Sequence, residues 1–172
     1  MYPYLRVFYT LHKAKSRAKL AWDEPGHMRM SVHLTDLDIY GEMNNARYLN
    51  IMEMGRWDVG VRTGLMAVMK KNKWLFTVAG CSIRYRKRLT AGQRFDLHTN
   101  IAAVDDRWLY MQQEIFREGV QHTGALFRTA IVSKRGVVPP QKVFEEMGIP
   151  WQPRMPDWVL DWDKSDFARP WK

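Results

Sequence analysis

The run with most chemical potential in this chain is Asp36-Leu37-Asp38-Ile39-Tyr40-Gly41-Glu42-Met43-Asn44-Asn45-Ala46-Arg47-Tyr48-Leu49. It sets carboxylates beside a glycine, two amides and the start of a helical pattern. Asn44 or Asn45 suits an N-cap, and no proline interrupts Ala46 to Gly64. The first turn of a helix leaves backbone N–H groups unpaired and carries the positive end of the helix dipole. Such a place can hold a developing oxyanion while a carboxylate acts as base or nucleophile. Gly41 lets the loop turn or a ligand approach the backbone. The same residues also suit a purely structural role, closing a turn and capping the helix.

Other chemistries find little support. His12, His27, His33, His98 and His122 show no metal-ligand spacing, so no metal site is expected. There is no G-x-S-x-G, Walker loop or G-x-G-x-x-G. Cys81, the single cysteine, excludes an internal disulfide and a multi-cysteine zinc site. Its place inside a predicted strand reads as a small core residue. The aromatic residues are scattered without a base-stacking motif, so no nucleic acid partner is expected.

The elements that must position the acidic run follow from its flanks. Met28 to Leu34 alternates apolar and polar residues as a strand does. The helix after the loop directs Tyr48, Leu49, Met52, Gly55 and Val59 inward, and Gly64 stops it. Trp74–Leu89, Arg94–Ala103, Arg107–Arg117 and Gln121–Arg135 read as strands joined by hairpin turns. Pro139-Pro140 ends the sheet, Gln141–Met147 is a short helix, and the tail from Pro150 wraps the surface. One helix cannot cover both faces of a five-stranded sheet, so a second copy is expected on the free face or edge. The expected units are an amphipathic basic helix (1–22), an α+β domain (27–148) and a C-terminal tail (149–172).

The 172 residues, 46% hydrophobic and 26% charged, suit one folded domain. No apolar run approaches the roughly 20 residues of a membrane helix. With one cysteine, a reducing, cytoplasmic setting is expected. The net charge is +9, and Met1 to Leu20 holds Arg6, Lys13, Lys15, Arg17 and Lys19 with no acid. That balance suits anionic partners: a phosphorylated ligand or an acidic membrane surface touched through residues 1–20.

The pattern Asp38-x-x-Gly41-x-Met43-Asn44-Asn45-Ala46-Arg47-Tyr48-Leu49 resembles the signature of hotdog-fold acyl-CoA thioesterases, in the 4-hydroxybenzoyl-CoA thioesterase-like superfamily. Ile83-Arg84-Tyr85-Arg86 and Gly92-Gln93-Arg94-Phe95 are similar too, so the likeness runs from about Met28 to Ser133. The resemblance implies a hotdog: an antiparallel five-stranded sheet wrapped around one long central helix, dimerising edge to edge into a continuous sheet, with a dimer of dimers in some members. It implies an acyl-CoA substrate, with CoA needed only as part of that substrate and no other cofactor. Asp38 takes the place of the catalytic carboxylate. Amides near Asn44, Asn45 and Ala46 take that of the oxyanion hole. Tyr40, Gly41, Glu42 and Arg47 shape the loop, and Tyr48 walls the acyl channel. Arg84, Arg86, Lys87 and Arg88 are candidates for CoA phosphates. Glu42 stands where the family usually has histidine. A second carboxylate there would disfavour the charged form of Asp38 unless it points to solvent. Glu53 is a second candidate carboxylate, since another hotdog branch uses a helical glutamate. A hotdog fold kept for acyl-CoA binding at membranes, without catalysis, is the alternative expectation.

Overall fold

The computed structural model describes residues 3–170; the outermost residues of the expected N- and C-terminal segments, 1–2 and 171–172, lie outside the described residues. The element order is α1 (Tyr4–Ala14), β1 (Gly26–Ser31), a 3-10 turn (Leu34–Asp36), α2 (Asn45–Arg62), α3 (Leu65–Asn72), β2 (Leu75–Tyr85), β3 (Arg94–Val104), β4 (Leu109–Arg117), β5 (Val120–Ser133), β6 (Gly136–Val138), α4 (Pro140–Met147) and α5 (Asp157–Phe167). The main sheet runs β1-β3-β4-β5-β2, and β6 pairs with β5 beside it. All the pairings are antiparallel. The expected five strands thus gain a short sixth, formed where the chain folds back through Gly136. Asp105 ties the β3–β4 turn by accepting the N–H groups of Arg107 and Trp108. Glu118 and Gly119 turn β4 into β5 with positive φ at both residues, the geometry of a tight hairpin.

Helix α2 lies against the inner face. Its Tyr48, Ile51 and Met52 meet Phe95, Leu97, Met111, Ile115 and Phe127 of the sheet in one apolar cluster. Gly55 is the point of closest approach: a Cβ there would stand 2.6 Å from Thr99 Oγ1 and 2.7 Å from Leu97 Cδ2. The helix therefore tolerates a glycine that costs it about 1 kcal/mol in propensity. Buried Gln113 closes the same seam, donating to Met52 O at 2.8 Å and Thr99 Oγ1 at 2.7 Å and accepting from Arg56 at 2.7 Å.

Three expectations change. Gly64, with φ of +83°, does stop α2, but an unexpected second helix, α3, begins directly after it. The tail is not a simple wrap, because α5 packs on the outer face. Arg128 of β5 donates to Asp163 at 2.9 Å and Asp166 at 2.7 Å, while Val159 joins Tyr110 and Leu126 in a small outer core. Burial, together with Asp163 and Asp105, which accept from its hydroxyl, pushes the Tyr110 phenol far above its usual range. The outer face is thus partly covered by the chain itself. Finally, Cys81 is exposed rather than a core residue, because β2 is the edge strand.

Candidate active site

The acidic run folds as a small hairpin between the 3-10 turn and α2. Leu37 and Met43 bridge across it, and Asp38 N–H donates to Glu42 O at 2.8 Å. Met43 N–H donates to Leu89 O at 2.8 Å and Glu42 bridges Thr90, so the β2–β3 connection pins the loop. Gly41 takes φ of +73°, which a side chain would strain.

The two aspartates have different surroundings. Asp36 is only 3% exposed. Its Oδ2 accepts from Arg6 at 2.7 Å and from His33 N–H at 3.0 Å, while Arg47 lies 4.0 Å from Oδ1. Asp38 is half-buried. Its Oδ1 accepts from Tyr40 N–H at 2.9 Å and Glu42 N–H at 3.3 Å. Asp38 Oδ2 has no partner among the described residues. One oxygen of this carboxylate thus closes the turn, and the other is left unpaired among the described residues.

At the start of α2, two of the three expected amides are already engaged. Asn44 N–H donates to Asp36 O at 2.9 Å, and Ala46 N–H to the Asn44 side chain at 2.9 Å. Asn45 N–H stays open among the described residues, while its carbonyl accepts from Tyr85 Oη at 3.3 Å. Glu42 is compensated by an ion pair with Arg88 at 2.8 Å. Tyr40 stands exposed at the loop tip.

Tyr48 is not among the residues that line the apolar cavity beside α2. It is buried in the inner core, edge-on to Tyr85 at 5.1 Å, and burial raises its phenol above the ordinary value. The cavity lies further along α2, where Trp57, Met66, Met69, Phe76, Ile101 and Met111 line about 220 Å³. Glu53 and Arg56 supply its polar lining. Glu53 stands about 12 Å from Asn45 at 1.5 Å per residue. Sequence reasoning missed this wall because part of it, Leu65, Met66 and Met69, comes from α3; these apolar residues beyond Gly64 were the available signal. The basic cluster is divided. Arg84 and Arg86 line a groove on the outer face with Trp158 and Trp162 of α5, whereas Arg88 pairs beside the acidic loop. Lys87 is exposed between them. No cluster able to hold a metal ion occurs among the described residues.

One long helix against a curled antiparallel sheet is the hotdog fold. The chain resembles the probable thioesterase YbaW of Escherichia coli with a TM-score of 0.65 at 22% identity, covering 70% of this chain and 97% of that one. It resembles the 1,4-dihydroxy-2-naphthoyl-CoA thioesterase of Synechocystis with a TM-score of 0.62 at 13% identity, covering 81% and 98%. The family model of the thioesterase-like superfamily matches residues 32–162, and the chain belongs to that superfamily. Protein THEM6 of Danio rerio is 31% identical over 121 residues, 69% of this chain and 57% of the relative. Protein THEM6 of Xenopus laevis is 30% identical over 133 residues, 75% and 62%. The chain therefore spans about three fifths of the length of these curated relatives.

Proposed function

We propose that the chain is an acyl-CoA thioesterase that releases a fatty or aryl acid and CoA. The observation that carries this reading is the pairing, on one loop–helix junction, of an open carboxylate oxygen (Asp38 Oδ2) with an open amide (Asn45 N–H). Asp38 attacks the thioester carbonyl carbon, or removes a proton from the water that does. The carbonyl electrons move onto oxygen, where Asn45 N–H at the helix start stabilises the negative charge. They then return, the C–S bond breaks, and the CoA thiolate leaves and takes up a proton. If Asp38 attacks directly, a water hydrolyses the acyl–aspartate anhydride and restores the carboxylate. Asn44 caps the helix so that the Asn45 amide stays exposed, while Gly41 and the Glu42–Arg88 pair hold the loop's shape.

The acyl group fits the apolar cavity beside Trp57 and Met69. Arg84, Arg86 and Lys87 remain available for CoA phosphates; Arg88 must first give up Glu42. A homodimer completes the site in this reading. Strand β2 is an eleven-residue sheet edge with Leu75 and Val78 exposed, and Phe76, Thr77 and Val78 border the cavity. Pairing β2 with a second copy satisfies that edge. A dimer of dimers is a further step of the same assembly.

A second reading, a non-catalytic acyl-CoA-binding protein, is favoured by one observation: Asp38 Oδ1 is already spent on its own turn. Free-thiol release from short, long and aromatic acyl-CoAs separates the two. Turnover above buffer with at least one substrate is expected. Saturable binding without release selects the second reading, and neither binding nor release overturns both.

A further inference from the structure

Helix α1 turns a mixed side, with Arg6, Thr10 and Ala14, to the domain. Thr10 and Ala14 are its buried residues, and Arg6 is bound to Asp36 at 2.7 Å. Just beyond the helix, Arg17 is bound to buried Asp58 at 2.8 Å. The seven-residue spacing from Leu5 to His12 through Phe8 leaves an apolar face outward. Leu5 is 88% exposed and Phe8 73%, with Tyr4 and Tyr9 beside them. The strip continues onto Val61 and Met66, which with Phe8 and Leu11 line a cleft of about 220 Å³. His12 and Lys15 line the same cleft, Lys13 and Lys19 are exposed on the same segment, and no acid occurs before Asp23.

We propose that this face lies on an anionic lipid bilayer surface. Leu5 and Phe8 enter the headgroup–acyl boundary, the two tyrosines sit at headgroup level, and the lysines meet lipid phosphates. Charge selects this occupant over a second copy. A self-complementary contact through this face would set one acid-free basic segment against another, whereas an acidic leaflet attracts both. The proposal is independent of the hydrolase reading. Through the Arg6–Asp36 pair, the helix that touches lipid is joined to the acidic loop.

The test is co-sedimentation of the full chain with vesicles of phosphatidylcholine, alone or mixed with phosphatidylserine. The wild type is expected to bind the mixed vesicles and not phosphatidylcholine alone, with binding weakened by salt. Leu5→Asp/Phe8→Asp is expected to abolish binding. Lys13→Glu/Lys15→Glu is expected to weaken it at least tenfold, at about fivefold per basic side chain. All four side chains are exposed, so the thermal transition reports that each variant is folded. An environment-sensitive dye on Leu5→Cys, in a Cys81→Ser background, should shift to the blue on adding mixed vesicles. Equal binding to both vesicle types, undiminished binding by Leu5→Asp/Phe8→Asp, or no dye shift overturns the proposal. So does a Leu5→Asp/Phe8→Asp variant that changes only oligomeric state, which would assign the face to contacts between copies.

Discussion

Asp36 and Asp38 stand two residues apart and differ in almost every physical respect. Asp36 is buried, fully partnered, and shared between α1 and α2 through Arg6 and Arg47. Asp38 is half-buried, binds only its own loop, and keeps one oxygen open. The difference teaches a division of labour. A carboxylate held by two arginines is a structural joint, and removing its charge takes a counter-charge from two half-buried cations. A carboxylate held by two loop amides is aimed but not neutralised, which is what a base or nucleophile requires. In a single acidic run, type and spacing look alike; the partners assign the roles.

Substitutions sharpen or break this contrast. The largest effect is expected at Asp38. Asp38→Asn keeps an Oδ1 acceptor for the turn and should lower thioester hydrolysis by about a thousandfold or more, with the melting temperature little changed. A melting loss as large as that of Asp36→Asn would erase the distinction. Asp36→Asn should act oppositely, costing about 3 kcal/mol in denaturant unfolding because Arg6 and Arg47 lose their counter-charge. Arg6→Ala removes one partner of the same joint and leaves Arg47 in place. Arg6 is partly solvated, so a loss of about 1–2 kcal/mol is expected, read by the same unfolding curves. Smallest is Arg88→Ala, which releases the exposed Glu42. It should change stability by about 0.5 kcal/mol or less, and a large loss of hydrolysis would give Arg88 a direct part in substrate binding.

Much of this arrangement was legible in the sequence because it is local. The Asp38–Leu49 pattern, the N-cap at Asn44 and the alternating strands depend on neighbours within a few residues. What was not legible depends on partners far along the chain. Arg6 meets Asp36 across 30 residues, and Arg128 meets Asp166 across 38. Without Arg128, the Trp- and Asp-rich tail gives no sign of the helix it forms. Which side of α1 meets the domain is not legible in its periodicity, because Arg6 and Arg17 find their carboxylates 30 and 41 residues away. The cavity along α2 was not legible because part of its wall comes from α3, which lies past Gly64. The three candidate amides could be reduced to Asn45 only by counting which donors were already spent.

The most direct test of the account compares Asp38→Asn with Glu53→Gln on one acyl-CoA that the wild type hydrolyses. Asp38 sits at the helix start and Glu53 in the cavity wall, and hotdog chemistry could run from either. The account predicts that thiol release disappears in Asp38→Asn and persists in Glu53→Gln, with both variants folded. Turnover retained by Asp38→Asn and lost in Glu53→Gln would contradict it and move the reacting carboxylate from the loop to the helix.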